Sequence, residues 1–135
     1  MSPEPSTIPK LLMEASKTHD VMMWFCGLAS PEMHIERVAL RVSQGGHPIP
    51  EEKIRARWTS SIANLIGLLP YLAILHVYDN SATVGLGEDI PDPLLVLEMW
   101  RGKVVVPDGN DRKVLEAIPT WAKAIVQAAF ELQGA

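Results

Sequence analysis

The sequence has only one cysteine, Cys26, and this scarcity excludes both an internal disulfide and a zinc site built from several cysteines. Long apolar runs are also missing, since the longest, residues 21–29, is about half of the ~20 residues that a membrane-spanning helix needs. The first residues, MSPEPSTIPK, lack the apolar core of a secretory signal. We therefore expect a cytoplasmic protein with no membrane partner.

Basic residues are in deficit, because 12 Lys and Arg stand against 16 Asp and Glu for a net charge of −4. Neutralising a nucleic-acid backbone needs a positive surplus, and aromatic residues make up only 6% of the chain, so a nucleic-acid partner is not expected. Apolar residues reach 47%, which is enough to bury a core and excludes general disorder. The length of 135 residues predicts a single domain over 1–135.

Apolar periodicity predicts helices over residues 6–17, 31–43, 50–69 and 119–132. The start of the second helix is marked by three residues. Ser30 supplies a capping hydroxyl, Pro31 is a first-turn proline, and Glu32 places a carboxylate at the positive end of the helix. Strands are predicted over 21–28, which we expect to be buried on both faces, and over 73–80. Two further strands are predicted to form a hairpin around Arg101 and Gly102, and loops are predicted over 82–93 and 107–112. The order strand, helix pair, strand is the crossover that parallel sheets require, so we predict an α/β fold.

The segment between Met33 and Leu65 contains five basic and three acidic residues. The basic ones are Arg37, Arg41, Lys53, Arg55 and Arg57. Arg37 and Arg41 lie four apart and share a helix face, whereas Arg55 and Arg57 point in different directions. The intervening segment 44–50, QGGHPIP, is predicted to be a hinge. Two readings follow: residues 31–69 form a helical lid whose arginines bind phosphate, or they form a solvated surface with ion pairs to Glu36 and Glu51.

The remaining polar candidates also have two readings each. His47 is an exposed turn residue or a donor to a phosphate or ribose, and His34 can join the face of Arg37. Asn80 and Ser81 follow a predicted parallel strand, where ligands gather in α/β sheets, although the same residues suit a tight turn. We expect His76 to be a hydrogen-bonded core residue and Cys26 a buried, inert thiol.

Three motifs together carry a family resemblance: SPEMHIERVALRVSQGGHPIPEEKIRARW, SIANL and VYDNS. They resemble the zeta-toxin-like family of P-loop ATPases and kinases, and the likeness runs from about Ser6 to Trp100, with a weak continuation at 119–121. The resemblance implies a partial P-loop kinase-like sheet flanked by helices. It also implies transfer of the ATP γ-phosphate to a small hydroxyl acceptor such as a UDP-sugar, with ATP and Mg²⁺ as cofactors and an antitoxin as a partner.

The resemblance also implies roles for individual residues. Arg41 and Arg57 match the positions that stabilise the transferring phosphoryl group. Phosphate contacts are implied for Arg37, His47 and Arg55. A place near the adenine or ribose is implied for the turn residues Tyr78, Asn80 and Ser81.

One departure from the family is large. The chain contains no G-x-x-x-x-G-K-[ST] and no G-x-G-x-x-G, so the phosphate cradle of the family is missing. We therefore expect the C-terminal part of such a domain, with weak or no catalysis and with an uncovered edge at the strand 21–28. That edge predicts a homodimer, a second chain that supplies the missing half, or a poorly soluble fragment. The alternative function is a non-enzymatic interaction module that pairs through this edge.

Overall fold

The computed structural model describes residues 7–82, 89 and 91–135. Its helices are α1 (Thr7–Ala15), α2 (Pro31–Ser43), α3 (Glu51–Leu68), α4 (Arg112–Glu116) and α5 (Lys123–Gly134). Its strands are β1 (Met22–Gly27), β2 (Ile74–Asp79), β3 (Leu94–Trp100) and β4 (Lys103–Val106). Single 3₁₀ turns lie at Leu69–Tyr71 and Thr120–Ala122.

The four strands form one sheet in the order β1-β2-β3-β4. β1 and β2 are parallel, with Met22 opposite Ile74 and Gly27 opposite Asp79, and α2 and α3 make the crossover between them. The other two pairings are antiparallel, and β3 and β4 form the predicted hairpin around Arg101 and Gly102. The predicted α/β fold is therefore confirmed, with a mixed sheet.

The core lies where the inward residues of the sheet meet α3 and α5. Its largest fully buried side chains are at most 1% exposed and are Leu65, Leu75, Val77, Leu97 and Ile125. The apolar periodicity that predicts α3 matches its packing, since Ile54 and Leu65 are buried and Trp58 and Ile62 pack against the core. Among the described helices, none combines the length and the hydropathy needed to cross a bilayer.

The expectation that the first strand is buried on both faces is wrong. Met22 and Trp24 are 55% and 58% exposed, and the Cys26 side chain is exposed too, so Cys26 is not a buried thiol. These residues alternate with Met23 and Phe25, which pack against the core. An apolar run shows that a strand is hydrophobic, but it does not show whether helices cover one face of the sheet or both.

The other differences from the sequence predictions are local. α4 was not predicted, although Asp111 caps it by accepting hydrogen bonds from the backbone N–H groups of Lys113 and Val114 at 3.1 and 3.3 Å. The terminal helix begins at Lys123 because a 3₁₀ turn occupies Thr120–Ala122. In the loop predicted over 82–93, residues 83–88 and 90 lie outside the described residues, as does Ser6 in the first predicted helix.

Candidate anion-binding cleft

A cleft of about 320 Å³ opens at the carboxyl ends of β1 and β2. This is the edge at which open α/β sheets place their ligands. The end of β1, the facing sides of α2 and α3, and the end of β2 form the walls, and Trp121 also lines the cleft. The lining residues are Phe25, Cys26, Gly27, Leu28, His34, Arg37, Arg41, Arg57, Trp58, Ser61, Ile62, Asn80 and Trp121.

The start of α2 fixes which of its side chains face the cleft. The Ser30 hydroxyl accepts a hydrogen bond from the backbone N–H of Met33 at 3.2 Å, and Pro31 occupies the first turn, as predicted. From this start, helical spacing brings His34, Arg37 and Arg41 to one side. The structure therefore groups His34 with the arginine face, as the sequence indicated.

Two glycines end α2 just after Arg41. Gly45 has φ +102°, and its N–H donates to the carbonyl of Val42 at 3.0 Å, while the N–H of Gly46 donates to the carbonyl of Arg41 at 2.8 Å. These bonds form a Schellman motif, which satisfies the last carbonyls of the helix. A Cβ on Gly46 would lie 2.9 Å from the Arg41 carbonyl oxygen. Helix termination thus accounts for the glycine pair of the predicted hinge.

Arg37 ties α2 to the end of β2. Its Nη2 donates to the carbonyl oxygen of Asn80 at 2.7 Å and to that of Ala82 at 3.3 Å. The backbone N–H of Asn80 in turn donates to the carbonyl of Gly27 at 2.9 Å. Arg37 therefore adds positive charge to the cleft, while its Nη2 donors hold the cleft wall together.

Arg41 and Arg57 are the other two arginines of the cleft lining, and their guanidinium groups make no hydrogen bond and no ion pair within the described part of the chain. One extends from α2 and the other from α3, and both line the cleft. The described lining contains no carboxylate. The cleft therefore holds guanidinium groups whose charge is not neutralised by any described neighbour, which favours an anionic ligand.

Arg55 and His47 lie outside the cleft. Nη1 of Arg55 donates to Glu32 Oε1 at 2.5 Å, and both side chains are about half-exposed. The hydrogen bond from Arg55 lowers the pKa of Glu32 below its ordinary value of 4.5. The predicted ion pairing is thus found for Arg55, with Glu32 as the partner. His47 is exposed in the segment between α2 and α3.

Of the three turn residues, only Asn80 lines the cleft. The ring of Tyr78 stacks on His76, with centroids 6.3 Å apart, on the side of the sheet away from the core. The Ser81 hydroxyl accepts from the backbone N–H of Ala29 at 2.8 Å and donates to the Asp79 carboxylate. Ser81 thus joins the ends of the two parallel strands. Nε2 of His76 and Oε1 of Glu98 lie 2.8 Å apart, so the predicted hydrogen bond of His76 is found. The prediction that His76 is a core residue is wrong, because its ring stacks on Trp24 and Tyr78 on the face of the sheet away from the core.

Two tryptophans complete the walls of the cleft, and the sequence analysis did not single them out as site residues. The indole N–H of Trp58 donates to the carbonyl of Leu28 at 3.0 Å. Trp121 is 7% exposed and packs flat against Gly27, where a Cβ would lie 2.1 Å from its ring. The indole N–H of Trp121 is buried without a partner in the described chain, a cost that a ligand or water can relieve.

A metal site does not fit the described residues. Within 7–82, 89 and 91–135 there is no group of three or more His, Cys, Asp or Glu side chains placed to hold an ion. Hard cations such as Mg²⁺ take oxygen ligands, and the described lining offers no carboxylate. We therefore assign no step to a metal held by these residues.

Comparisons with known proteins identify no relative. No protein-family model, no curated protein and no solved structure matches the chain.

Proposed function

We propose that the cleft binds the phosphate groups of a nucleotide, and that the chain is the arginine-bearing part of a zeta-toxin-like, ATP-binding phosphotransferase. One observation carries the proposal: Arg37, Arg41 and Arg57 line one cleft at the carboxyl ends of two parallel strands, and no described carboxylate lines it. The identity of ATP as the ligand, and of a UDP-sugar or similar hydroxyl compound as the acceptor, rests on the family resemblance.

The proposed chemistry is electrostatic. Guanidinium groups keep their charge at all physiological pH values and donate paired hydrogen bonds to phosphate oxygens. Arg41 and Arg57 approach from separate helices, so together they can contact two sides of one polyphosphate. In a phosphoryl transfer such groups stabilise the negative charge that spreads over the transferring oxygens.

Catalysis by this chain alone is expected to be weak or absent. The sequence contains no G-x-x-x-x-G-K-[ST], so it lacks the loop whose backbone N–H groups and lysine hold the β- and γ-phosphates in this class of enzyme. Positioning supplies much of the rate enhancement in phosphoryl transfer. Measurable ATP turnover by the purified chain that disappears in Arg41→Ala would contradict this expectation.

Titration with ATP, ADP and adenosine tests the binding proposal. Trp58 and Trp121 line the cleft, so their fluorescence reports occupancy. We expect ATP to bind more tightly than ADP, adenosine not to bind measurably, and the affinity for ATP to fall as salt is raised. Equal affinity for adenosine and ATP, or no binding of ATP at low salt, would overturn the proposal.

A further inference from the structure

The two edges of the sheet are protected to different degrees. β4 is four residues long, carries Lys103, and pairs with β3 through an irregular register at Glu98 and Met99. The side chain of Gln133 from α5 accepts a hydrogen bond from the backbone N–H of Val104 at 2.6 Å, which occupies one edge donor. Short length, charge, irregularity and a covering element are the devices by which proteins prevent edges from pairing.

β1 has none of these devices within the part of the chain that the structure describes. Its sequence, MMWFCG, contains no charge and no proline, and its six residues pair with β2 without a register shift. No described strand pairs with its other side. Met22 and Trp24 nevertheless expose more than half of their surface. An unprotected apolar edge of this kind is a template for another strand.

The direction of the backbone groups on β1 can be assigned. The carbonyl of Val21 accepts from the N–H of Ala73 at 2.8 Å, and the carbonyl of Gly27 accepts from the N–H of Asn80 at 2.9 Å. Successive residues of a strand alternate in direction, so the odd-numbered residues of β1 bond to β2. The N–H and C=O groups of Met22, Trp24 and Cys26 therefore point away from the sheet, giving six backbone groups without a described partner.

We infer that β1 pairs with β1 of a second copy of this chain, antiparallel and about a two-fold axis at Trp24. The residues whose backbone groups point outward, 22, 24 and 26, are spaced evenly on either side of Trp24. A second strand running in the opposite direction therefore presents its outward groups at matching positions. Trp24 then faces Trp24 of the second copy, and Met22 faces Cys26. All six outward groups gain hydrogen bonds in this register, because alternate residues of an antiparallel pair exchange both bonds.

The absence of charge on β1 also favours a second copy of this chain as the partner. β1 is neutral along its whole length, so two copies meet without the like-charge repulsion that destabilises cross-strand pairs. In the two-fold register, Asp20 lies opposite Leu28 of the second copy rather than opposite another acid. A closed two-fold contact covers the β1 edge of both copies, and so it ends at a dimer instead of a fibre.

Engineered cross-linking tests the register directly. Directly opposed Cα atoms in a hydrogen-bonded pair lie about 5.5 Å apart, which is within disulfide range. The variant Met22→Cys should therefore form a covalent dimer with native Cys26 under mild oxidation, visible on a non-reducing gel. Val105→Cys, an equally exposed position on β4, is the matched control and should give little dimer beyond the wild-type background.

Sedimentation of the full chain supplies the second readout. The wild type should be a concentration-dependent dimer, and Trp24→Lys should be a monomer that retains its circular dichroism spectrum. A wild-type monomer at every concentration would overturn the inference. So would a dimer whose Met22→Cys variant cross-links no faster than Val105→Cys, because that dimer would use another surface. Nucleotide titration of the Trp24→Lys monomer measures the cleft separately.

Discussion

Arg55 and Arg57 lie two residues apart on α3, yet the structure gives them opposite surroundings. Arg57 lines the cleft and makes no ion pair with any described residue, whereas Arg55 faces outward and donates to Glu32 at 2.5 Å. With 3.6 residues per helical turn, two residues apart means nearly opposite faces. The same residue type therefore has an anion-binding environment at one position and a satisfied surface pair at the other.

This contrast separates two explanations of the basic segment. If phosphate binding depended only on positive charge, Arg55 and Arg57 would contribute alike. If it depends on directed hydrogen bonds within the cleft, only the cleft arginines matter. The following predictions test the difference, beginning with the largest expected effect.

Removing Arg41 and Arg57, the two cleft arginines without a described partner, should nearly abolish phosphate binding. Each charge-assisted hydrogen bond is worth about 1.5–3 kcal/mol, so Arg41→Ala with Arg57→Ala should weaken the binding of inorganic tripolyphosphate by about 100-fold or more. Calorimetric titration measures this. The matched control is Lys53→Ala with Arg55→Ala, which removes the same charge from α3 outside the cleft and should cost less than about threefold at physiological salt. Equal losses in the two double variants would show that net charge alone attracts the ligand.

Filling the space beside Trp121 should destabilise the fold around the cleft. Gly27→Val places a side chain where a Cβ already lies 2.1 Å from the Trp121 ring, so the indole must move out of the core. We expect the free energy of unfolding to fall by about 1–3 kcal/mol, as for other overpacked cores. Gly67→Ala in α3 is the control, because an added Cβ would lie within 4 Å of nothing except its chain neighbours and the backbone of its own helix, and it should raise stability by up to about 1 kcal/mol. Denaturant unfolding compares the two; an unchanged midpoint for Gly27→Val would refute the packing of Trp121 on Gly27.

The smallest predicted effect concerns the Arg55–Glu32 pair. Arg55 holds the pKa of Glu32 below 4.5 in the folded protein, so the pair stabilises the fold above that pH. The stabilisation disappears as the pH falls through the lowered pKa, and it is small because both groups are exposed. An NMR titration of the Glu32 carboxyl carbon should show the lowered pKa in the wild type and in Arg57→Ala. Arg55→Ala should return it toward 4.5, and a lowered pKa in that variant would assign the effect to another group.

Local signals in the sequence predicted much of the fold. Ser30 and Pro31 mark the start of α2, and Arg101 with Gly102 marks the turn of the hairpin, because caps and turns depend on neighbouring residues. The exposure of Trp24 and Cys26 could not be predicted in this way, since it depends on which face of the sheet the helices cover. Asp111 is a helix-capping residue type and could have predicted α4, but it falls in the loop predicted over 107–112.

The site was predictable only in part. Helical spacing brought His34, Arg37 and Arg41 together, and the strand-end position of Asn80 placed it at the cleft. Spacing did not show that Glu32 pairs with Arg55, or that Trp121 reaches Gly27 from the far end of the chain, because both contacts depend on how separate elements pack. The sequence also did not show that Tyr78 stacks on His76 on the face of the sheet away from the core, because this depends on which face the helices cover.

NMR of the arginine side chains gives the most direct test of the cleft as a phosphate site. The Nε–Hε signals of Arg41, Arg55 and Arg57 would be followed while inorganic tripolyphosphate is added to the wild-type chain. We predict saturable shifts for Arg41 and Arg57 with one common dissociation constant, and no comparable shift for Arg55. Parallel shifts of all three signals, or a shift of Arg55 alone, would contradict the assignment of the cleft as the site of phosphate binding.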